Sequence, residues 1–459
     1  PISRNLISVT GMPGAHLSHT DVQVRVITVP VLVKAENISD LQKTKEDMAD
    51  WLIHSEPKEL IFKDEPDRVY YAVVDGELEL DEIFSTGRGE ITFICPDPYK
   101  YGPEKTVETT SDTFIIENEG TAEAEPIIEL TATEKATFAM ISNGEEEYNL
   151  IGTPADDDVE VVDTRASVLF ENGSTIDTWQ TATLEMVDSH FIDSLDGVMG
   201  TDDAGIRPSS WGTPRQKQRG AGVYKELPNP IQDFEIESTF DVISSREIEN
   251  WRMGIMFWDE NWNNLGMIGL KDNSRNYRRR VPLARYGPYR GSGRGSGYLI
   301  GDADRIDNAR EITLFYLRVK REGNTFDFYI GEWQNQQHVR NWQGTYRDVN
   351  NQYSGKLRYV SLYITSYQDR PLPTRARINS VEVFELTKAT VDQTPYIIYP
   401  GDVVEFDHVT KDIRLNGESR KDLKNFGGSF FKLKKGFNTL TITPENTFNT
   451  KITYRERYK

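Results

Sequence analysis

The sequence predicts an almost entirely β protein with a single helix near its amino terminus. Strand-length segments that alternate apolar and polar residues, separated by turn signals, recur through the chain. Only the stretch 39–52 places its apolar residues at helical spacing. At 459 residues the chain is long enough for roughly three domains.

The predicted helix begins a stretch, 37–102, around which the rest of the chain is organised. Ser39 with Gln42 three residues later is typical of a capping box, and Pro57 lies beyond the expected end. One helical face comprises Leu41, Thr44, Met48, Trp51 and Leu52. Before and after the helix, strands are predicted at Val22–Val33, Leu60–Phe62, Val69–Val74, Leu78–Phe84 and Ile91–Cys95.

Three blocks of this stretch carry a family resemblance. They are Trp51-Leu52, the segment from Leu60 to Gly76, and the segment from Ile91 through Cys95-Pro96-Asp97-Pro98-Tyr99-Lys100-Tyr101-Gly102. In order and spacing they resemble the amino-terminal domain of siphophage distal tail proteins, over residues 1–125. The resemblance implies a ring-forming tail-hub domain and a homo-hexamer that contacts the tail tube and tail-associated baseplate proteins. It also implies a place in the virion tail tip, after synthesis in the host cytoplasm.

A second domain is predicted to be split by an insertion. Short strands at 126–151 are too few to bury a core, and the pattern resumes at 396–442 with an Asn416-Gly417 turn. Joining 126–165 to 389–459 gives a segment of ordinary β-sandwich size. Its blocks Pro400–Glu405, Leu415–Gly417 and Phe431–Asn438 resemble the galectin-like second domain of the same family.

The insertion, 166–388, holds seven of the eight tryptophans. Alternation at Phe234–Val242, Met253–Phe257, Phe315–Ile330 and Val360–Ile364 predicts a two-sheet jelly roll. The arrangement is similar to laminin-G and concanavalin-type lectin modules. Distal tail proteins with such insertions are called evolved forms, so the resemblance implies a carbohydrate-binding module that contacts host cell-wall polysaccharide.

Charge and cysteine content restrict the partners. The net charge is −20, yet the insertion carries 28 basic and 29 acidic residues, so the excess acid lies in the flanks. Acidic flanks disfavour specific nucleic-acid binding, although they also serve solubility. One cysteine excludes internal disulfides and a cysteine-based zinc site, and we expect folding in a reducing cytoplasm. No metal, cofactor or membrane partner is predicted.

Two groups of residues are candidates for saccharide contact. Trp258 and Trp262 stand among polar residues that include Asp259 and Asn261, and Trp211 has similar surroundings. A tryptophan ring stacks on the C–H face of a sugar, while polar neighbours bind its hydroxyls. The alternative is that one or both tryptophans cap the edge of the sandwich.

The second group belongs to an arginine- and tyrosine-rich run, 275–294, and comprises Tyr277, Arg278 and Tyr286. Such a basic run is typical of a phosphate-binding surface. The phosphates would belong either to single-stranded nucleic acid or to wall polymers such as teichoic acids. The alternative is a solvated loop between strands.

The sequence offers little support for catalysis. Glu235 and Glu237 share one strand face, but the central acid of a glycosidase E-x-D-x-E pattern is missing, so both are expected to face solvent. The prediction is therefore a non-enzymatic protein. A wall-degrading glycoside hydrolase and a free cell-surface lectin stay open as alternatives.

Overall fold

The computed structural model describes residues 2–8, 10–11, 13–76, 80–83, 86–144, 147–155, 159–202, 204–291, 295–334, 337–390 and 393–459. Internal contacts divide the chain into two units. The first comprises Pro1–Gly152, Ile398–Leu415 and Ser419–Lys459, and the second comprises Thr153–Ile397 and Asn416–Glu418. The predicted boundary at 125, inside the first unit, stays a prediction.

The first unit begins with twelve described strands and one α-helix. The helix α1 is Ile38–Leu52, and the strands are β1 Ile2–Ile7, β2 His16–Val22, β3 Arg25–Lys34, β4 Lys58–Ile61, β5 Val69–Asp75, β6 Leu80–Ile83, β7 Thr86–Cys95, β8 Lys100–Thr109, β9 Thr113–Asn118, β10 Ile127–Ala132, β11 Phe138–Ser142 and β12 Tyr148–Gly152.

The second unit holds strands β13 to β31. They are β13 Glu160–Val162, β14 Arg165–Glu171, β15 Gln180–Thr181, β16 Ile192–Ser194, β17 Val198–Asp202, β18 Gly205–Ser210, β19 Gln218–Ile231, β20 Phe234–Ile243, β21 Trp251–Asp259, β22 Asn264–Asp272, β23 Arg279–Tyr286, β24 Tyr298–Ile300, β25 Ile306–Asp307, β26 Ile312–Glu322, β27 Thr325–Gln334, β28 Gln337–Arg347, β29 Leu357–Tyr367, β30 Arg375–Leu386 and β31 Gln393–Pro395, with 3-10 turns at Leu184–Met186 and Asp302–Asp304.

The chain then returns to the first unit. Its last strands are β32 Val403–Asp407, β33 Asp412–Leu415, β34 Glu418–Ser419, β35 Gly436–Thr443 and β36 Phe448–Tyr458, with a 3-10 turn at Lys421–Leu423. One sheet has the order β3-β7-β5-β8-β36-β10-β32-β33, and a second has the order β12-β11-β35-β9. Strands from both ends of the chain therefore alternate within these sheets, as a split domain requires.

The helix differs from its prediction in its N-cap and in the exposure of Trp51. Its N-cap is Asn37, whose side chain accepts a hydrogen bond from the Asp40 backbone N–H, rather than Ser39. Leu41 is fully buried, but Trp51 is 70% exposed because the last turn of the helix lies against solvent. The predicted apolar face is thus correct at its start and wrong at Trp51.

Two predicted strands also need comment. Leu78, Glu79 and Phe84 lie outside the described residues, and the strand there is β6. The sequence pattern also predicts a strand at Phe430–Leu433, and that prediction is wrong. In place of a strand, Leu433 forms a single bridge with Ala124.

The second unit is a sandwich of two sheets around one core. The eight-stranded sheet has the order β17-β18-β30-β20-β26-β27-β28, with β14 paired to β30. The nine-stranded sheet has the order β15-β19-β29-β21-β22-β23-β24, with β16 and β25 paired to β19 and β23. Between the sheets lie alternate residues of each, such as Phe234, Phe315, Trp251 and Leu362.

The predicted fold class is confirmed, because the described chain is a set of β-sheets with one α-helix. None of the helices within the described ranges has the length and apolar character that a bilayer crossing demands.

Candidate functional site

A cleft of about 390 Å³ opens on the outer face of the nine-stranded sheet, opposite the sandwich core. Lys271 of β22 and Leu283 of β23 come from the sheet, because alternate residues of these strands point away from the core. Asp302 and Asp304 stand in the 3-10 turn at its edge. The side chains that line the cleft include Phe191, Tyr289, Ser296 and Tyr298.

The walls of the cleft are aromatic. Tyr289 lies 4.2 Å from the ring of His190, 5.0 Å from that of Phe191 and 6.3 Å from that of Tyr298, measured between ring centroids. These tilted and edge-to-face contacts hold the rings in place. Tyr289 stays half-exposed, so part of its surface is open to a ligand.

Beneath the aromatic walls, one buried carboxylate is shared by two buried arginines. Asp188 accepts from Arg252, and its other oxygen lies 3.3 Å from Nη1 of Arg285. Both guanidinium groups also donate to the Tyr298 hydroxyl, at 3.0 and 3.3 Å. Burial opposes the charge of Arg252, yet Tyr363 and Asp188 hold its pKa well above the ordinary value. The cluster therefore fixes the wall residue Tyr298 in position.

Lys271 provides hydrogen-bond donors at the floor of the cleft. Its Nζ lies 2.6 Å from Oδ1 of Asp302, and its side chain is 13% exposed while that of Asp302 is 68% exposed. Burial lowers the pKa of Lys271, and Asp302 opposes that shift. An ammonium group has three N–H donors, and among the described residues only Asp302 is recorded as its ion-pair partner.

The predicted tryptophan site is only partly exposed. Trp258 is buried, with 7% of its surface exposed, and its Nε1 donates to Ser361 Oγ at 2.9 Å. The expected exposure of Trp258 is therefore wrong, and its ring has no open face for a sugar. Asp259 is also buried, because it accepts from the backbone N–H groups of Asn261 and Asn263 at 2.8 Å. Its role is to shape the β21–β22 turn.

Trp262 and Asn261 are more accessible. Asn261 is exposed, and the half-buried Trp262 stacks on Tyr359 with a centroid distance of 4.0 Å and an angle of 12°. Tyr224 meets Trp262 edge-on at 5.5 Å. We call Trp262, Tyr359 and Tyr224 the aromatic platform. Trp211 lies elsewhere, half-buried against the sandwich core.

The platform and the cleft are separate sites on the same sheet face. Ser361 lies between Tyr359 and Tyr363 on β29, and its hydroxyl donates to the Met186 carbonyl at 2.5 Å. The chain at Met186 therefore crosses the sheet between the two sites. Trp258 is six residues from Arg252 along β21, which corresponds to about 20 Å of strand.

The arginine- and tyrosine-rich run does not line the cleft with the residues that were predicted. Arg278 donates to the carbonyls of Ser244 and Ser245, at 2.6 and 2.9 Å. Tyr277 accepts from Arg279, whose guanidinium lies 5.0 Å from its ring. Tyr286 packs against the core and stacks on Tyr346 at 3.4 Å. These three side chains serve the fold.

The two glutamates considered for catalysis lie on the other side of the sandwich. Glu235 and Glu237 are on the outer face of the eight-stranded sheet, and both pair with Arg165. The expectation that they face solvent is wrong, since only 10% and 23% of their side chains are exposed. Burial raises the pKa of Glu237 to about 7.

Sequence reasoning missed the cleft because residues from widely separated segments build it. Phe191 comes from the chain that crosses the sheet, Lys271 from β22, and Asp302 from the turn before β25. Tyr289 belongs to the arginine- and tyrosine-rich run, and its place in that run was the available sequence signal for the cleft. No local motif joins these residues, so only the fold brings them together.

Comparison with known proteins places both ends of the chain in one group. Residues 1–95 match the phage tail protein RIFT-related domain, and residues 371–458 match the siphovirus-type tail component, C-terminal domain. Both ends of the chain are therefore similar to siphovirus tail proteins. The distal tail protein of Bacillus phage SPP1 is 27% identical over 131 residues, which are 28% of this chain and 52% of that relative. The chain thus spans about half the length of the curated relative it matches.

Solved structures of the distal tail family and of other proteins have similar parts. The crystal structure of SPP1 Dit is 23% identical, with a TM-score of 0.31 over 33% of this chain and 64% of that one. The CBM2 module of the evolved Dit of Lactobacillus casei BL23 phage J-1 is 10% identical, with a TM-score of 0.40 over 50% of this chain and 100% of that one. An endo-β-1,3-glucanase from Pyrococcus furiosus is 10% identical, with a TM-score of 0.32 over 51% of this chain and 100% of that one. At TM-scores this low, these similarities establish no function for this chain.

Proposed function

We propose that this protein is a structural hub of a siphophage tail tip and that its insertion binds host cell-wall polysaccharide. The similarity of both ends of the chain to siphovirus tail domains supports the first part. The aromatic-walled cleft carries the second part, because ring surfaces there stand beside hydrogen-bonding groups. Sites that bind small ligands combine apolar surface with a few oriented polar groups in this way.

We further propose that the hub is a homo-hexameric ring between the tail tube and tail-associated baseplate proteins in the virion. The hairpin β1–β2 supports an assembly, since every residue of both strands is exposed. Ile2, Leu6 and Leu17 are 61%, 58% and 57% exposed. A two-stranded hairpin is marginally stable alone, so it needs a covering partner, and head-to-tail contacts around a closed ring supply one.

The hexamer is tested by native mass spectrometry and negative-stain electron microscopy of the whole chain. We expect rings of six, and we expect Leu6→Asp with Leu17→Asp to break them because charges would enter an apolar interface. The matched control is Val349→Asp, since Val349 of the insertion is 70% exposed. A wild-type protein that stays monomeric at high concentration, alone and with tail-tube protein, would contradict the ring.

Saccharide binding is tested with purified host cell walls. Tyr289→Ala removes one wall of the cleft and is expected to weaken binding about tenfold, if its stacking contributes about 1.4 kcal/mol. Tyr359→Ala tests the aromatic platform in the same way, because Tyr359 is a half-buried tyrosine of the same sheet face beyond the Met186 crossing. Equal losses in both variants would argue against the cleft as the binding site.

The hydrolase alternative has less support. A glycosidase places two carboxylates on either side of the bond that it cleaves. Here Glu235 and Glu237 share Arg165 as a partner and lie on the sheet face opposite to that of the cleft. The geometry therefore favours binding over hydrolysis.

A further inference from the structure

The cleft also contains information on the charge of its ligand. Phosphate-bearing and uncharged wall polymers differ in what they need from a binding site. A phosphate needs cations whose charge is not already neutralised, whereas a neutral sugar needs ring faces and paired donors and acceptors. The charges around the cleft therefore distinguish the two classes.

The basic run that borders the cleft is partly paired inside the protein. Two of its arginines pair with carboxylates, and the exposed Arg290 donates to a neutral hydroxyl. Arg279 pairs with Asp307 at 2.6 Å, Arg280 with Asp272 at 3.1 Å, and Arg290 donates to the Tyr353 hydroxyl at 2.8 Å. Arg294 lies outside the described residues.

The three cations at the cleft, Arg252, Arg285 and Lys271, are balanced only when Asp304 of the lining is counted with Asp188 and Asp302. Arg252 and Arg285 share Asp188, and all three side chains are at least 97% buried. Lys271 is matched by Asp302. An anion placed here would meet a low-dielectric site whose positive charges are already compensated, and it would lose its hydration without gaining a counter-charge.

The edge of the cleft is acidic. Asp302 and Asp304 stand in one 3-10 turn, and the Asp304 carboxylate accepts from the Gly301 backbone N–H at 2.8 Å. A polyanion that approaches this edge is repelled, whereas sugar hydroxyls donate readily to carboxylate oxygens. Lys271 supplies donors to sugar oxygens in the same cleft.

We infer that the cleft takes an uncharged saccharide and rejects phosphate-bearing wall polymers. This inference rests on the proposed function of the cleft and specifies its ligand class. Aromatic walls supply the stacking surface, and the Lys271–Asp302 pair supplies a donor and an acceptor for hydroxyl groups.

The test compares two probes on the full-length protein. One is a panel of neutral oligosaccharides of glucose, galactose, rhamnose and N-acetylhexosamines, and the other is poly(glycerol phosphate). Binding is measured from about 0.01 M to about 1 M NaCl, which shortens the Debye length from about 30 to about 3 Å. We expect a neutral probe to bind, and we expect its affinity to change less than about twofold over this range of NaCl concentration, since no counterions are released. We expect Tyr289→Ala to weaken that binding about tenfold.

A charge variant sharpens the comparison. Asp302→Asn leaves Lys271 without its carboxylate and removes one acid from the edge. We expect it to raise the affinity for poly(glycerol phosphate) about threefold, a modest change because the carboxylate is largely exposed. Glu185→Gln, in the exposed 3-10 turn Leu184–Met186, is the control that changes charge without changing the cleft lining.

Two results would contradict the inference in distinguishable ways. Tighter binding of poly(glycerol phosphate) than of any neutral probe, with a log-linear salt dependence and sensitivity to Tyr289→Ala, would overturn the ligand class and leave the proposed binding function standing. Failure of both probes and of purified walls to bind would refute the proposed function and this inference with it.

Discussion

Replacing Asp188 by alanine is expected to destabilise the insertion strongly. Asp188 is 3% exposed and is shared by Arg252 and Arg285, which are 2% and 1% exposed. Its removal leaves two guanidinium groups inside the protein without the carboxylate that they share. Deleting one partner of a buried pair costs about 3–5 kcal/mol, which lowers Tm by roughly 10 °C for a unit of this size.

Tryptophan fluorescence reports selectively on this unit, because seven of the eight tryptophans lie within 166–388. Urea and thermal unfolding followed by fluorescence therefore measure the stability of the insertion within the whole chain. Asp188→Asn keeps the size of the side chain and one acceptor oxygen but removes the charge, so we expect an intermediate loss. The three proteins together separate the charge from the hydrogen bonds.

The matched control is an exposed pair in the same sheet. Glu226 of β19 pairs with Arg358 of β29, and its side chain is 45% exposed. Glu226→Ala is expected to change the free energy of unfolding by no more than about 0.5 kcal/mol. A loss below about 1 kcal/mol for Asp188→Ala, or a loss equal to that of the control, would refute the argument that Asp188 compensates buried charge.

The remaining predictions concern burial, pH and catalysis. Trp258→Ala is expected to lower the free energy of unfolding by about 3–5 kcal/mol, and Trp262→Ala is expected to lower it much less. The same fluorescence measurements would show both effects. A larger loss for Trp262→Ala than for Trp258→Ala would contradict the burial of Trp258. Burial lowers the pKa of His408 in the first unit from 6.5 to about 4. Because the unfolded chain then binds the proton more readily, stability is complete above pH 6.5 and falls by up to about 3 kcal/mol towards pH 4. Hydrogen exchange of β32 amides measures this loss, and His408→Gln should show a smaller one. Purified walls are expected to release no reducing sugar with the wild-type protein, and release that is abolished by Glu237→Gln would establish hydrolysis.

Alternation along single strands is where sequence reasoning succeeds. Phe234, Ile236, Phe240 and Val242 are predicted to share one face of a strand, and all four lie in the sandwich core. The inference needs only the two-residue period of a strand and the preference of apolar side chains for burial. The division of the fold into a split domain and an insertion, argued from the order of strand patterns, stays a prediction.

Alternation does not predict whether the opposite face of a strand meets solvent. Trp258 is a candidate for saccharide contact because of its polar neighbours, yet the segment through Met186 crosses the face on which it lies and covers it. Glu235 and Glu237 also point away from the core, but Arg165 of a strand seventy residues earlier pairs with both. In each case the covering residue is distant in sequence.

The sequence by itself determined the β class, the single helix, the core faces of the strands and the family resemblance at both ends, since each depends on local periodicity or on a contiguous block. Only the tertiary structure decided which aromatic rings stay open and which charges are neutralised. Tyr289, Lys271 and Asp302 form one cleft because strand pairing and the crossing segment bring them together. Contacts of that kind depend on chain positions far apart, and no single-strand pattern records them.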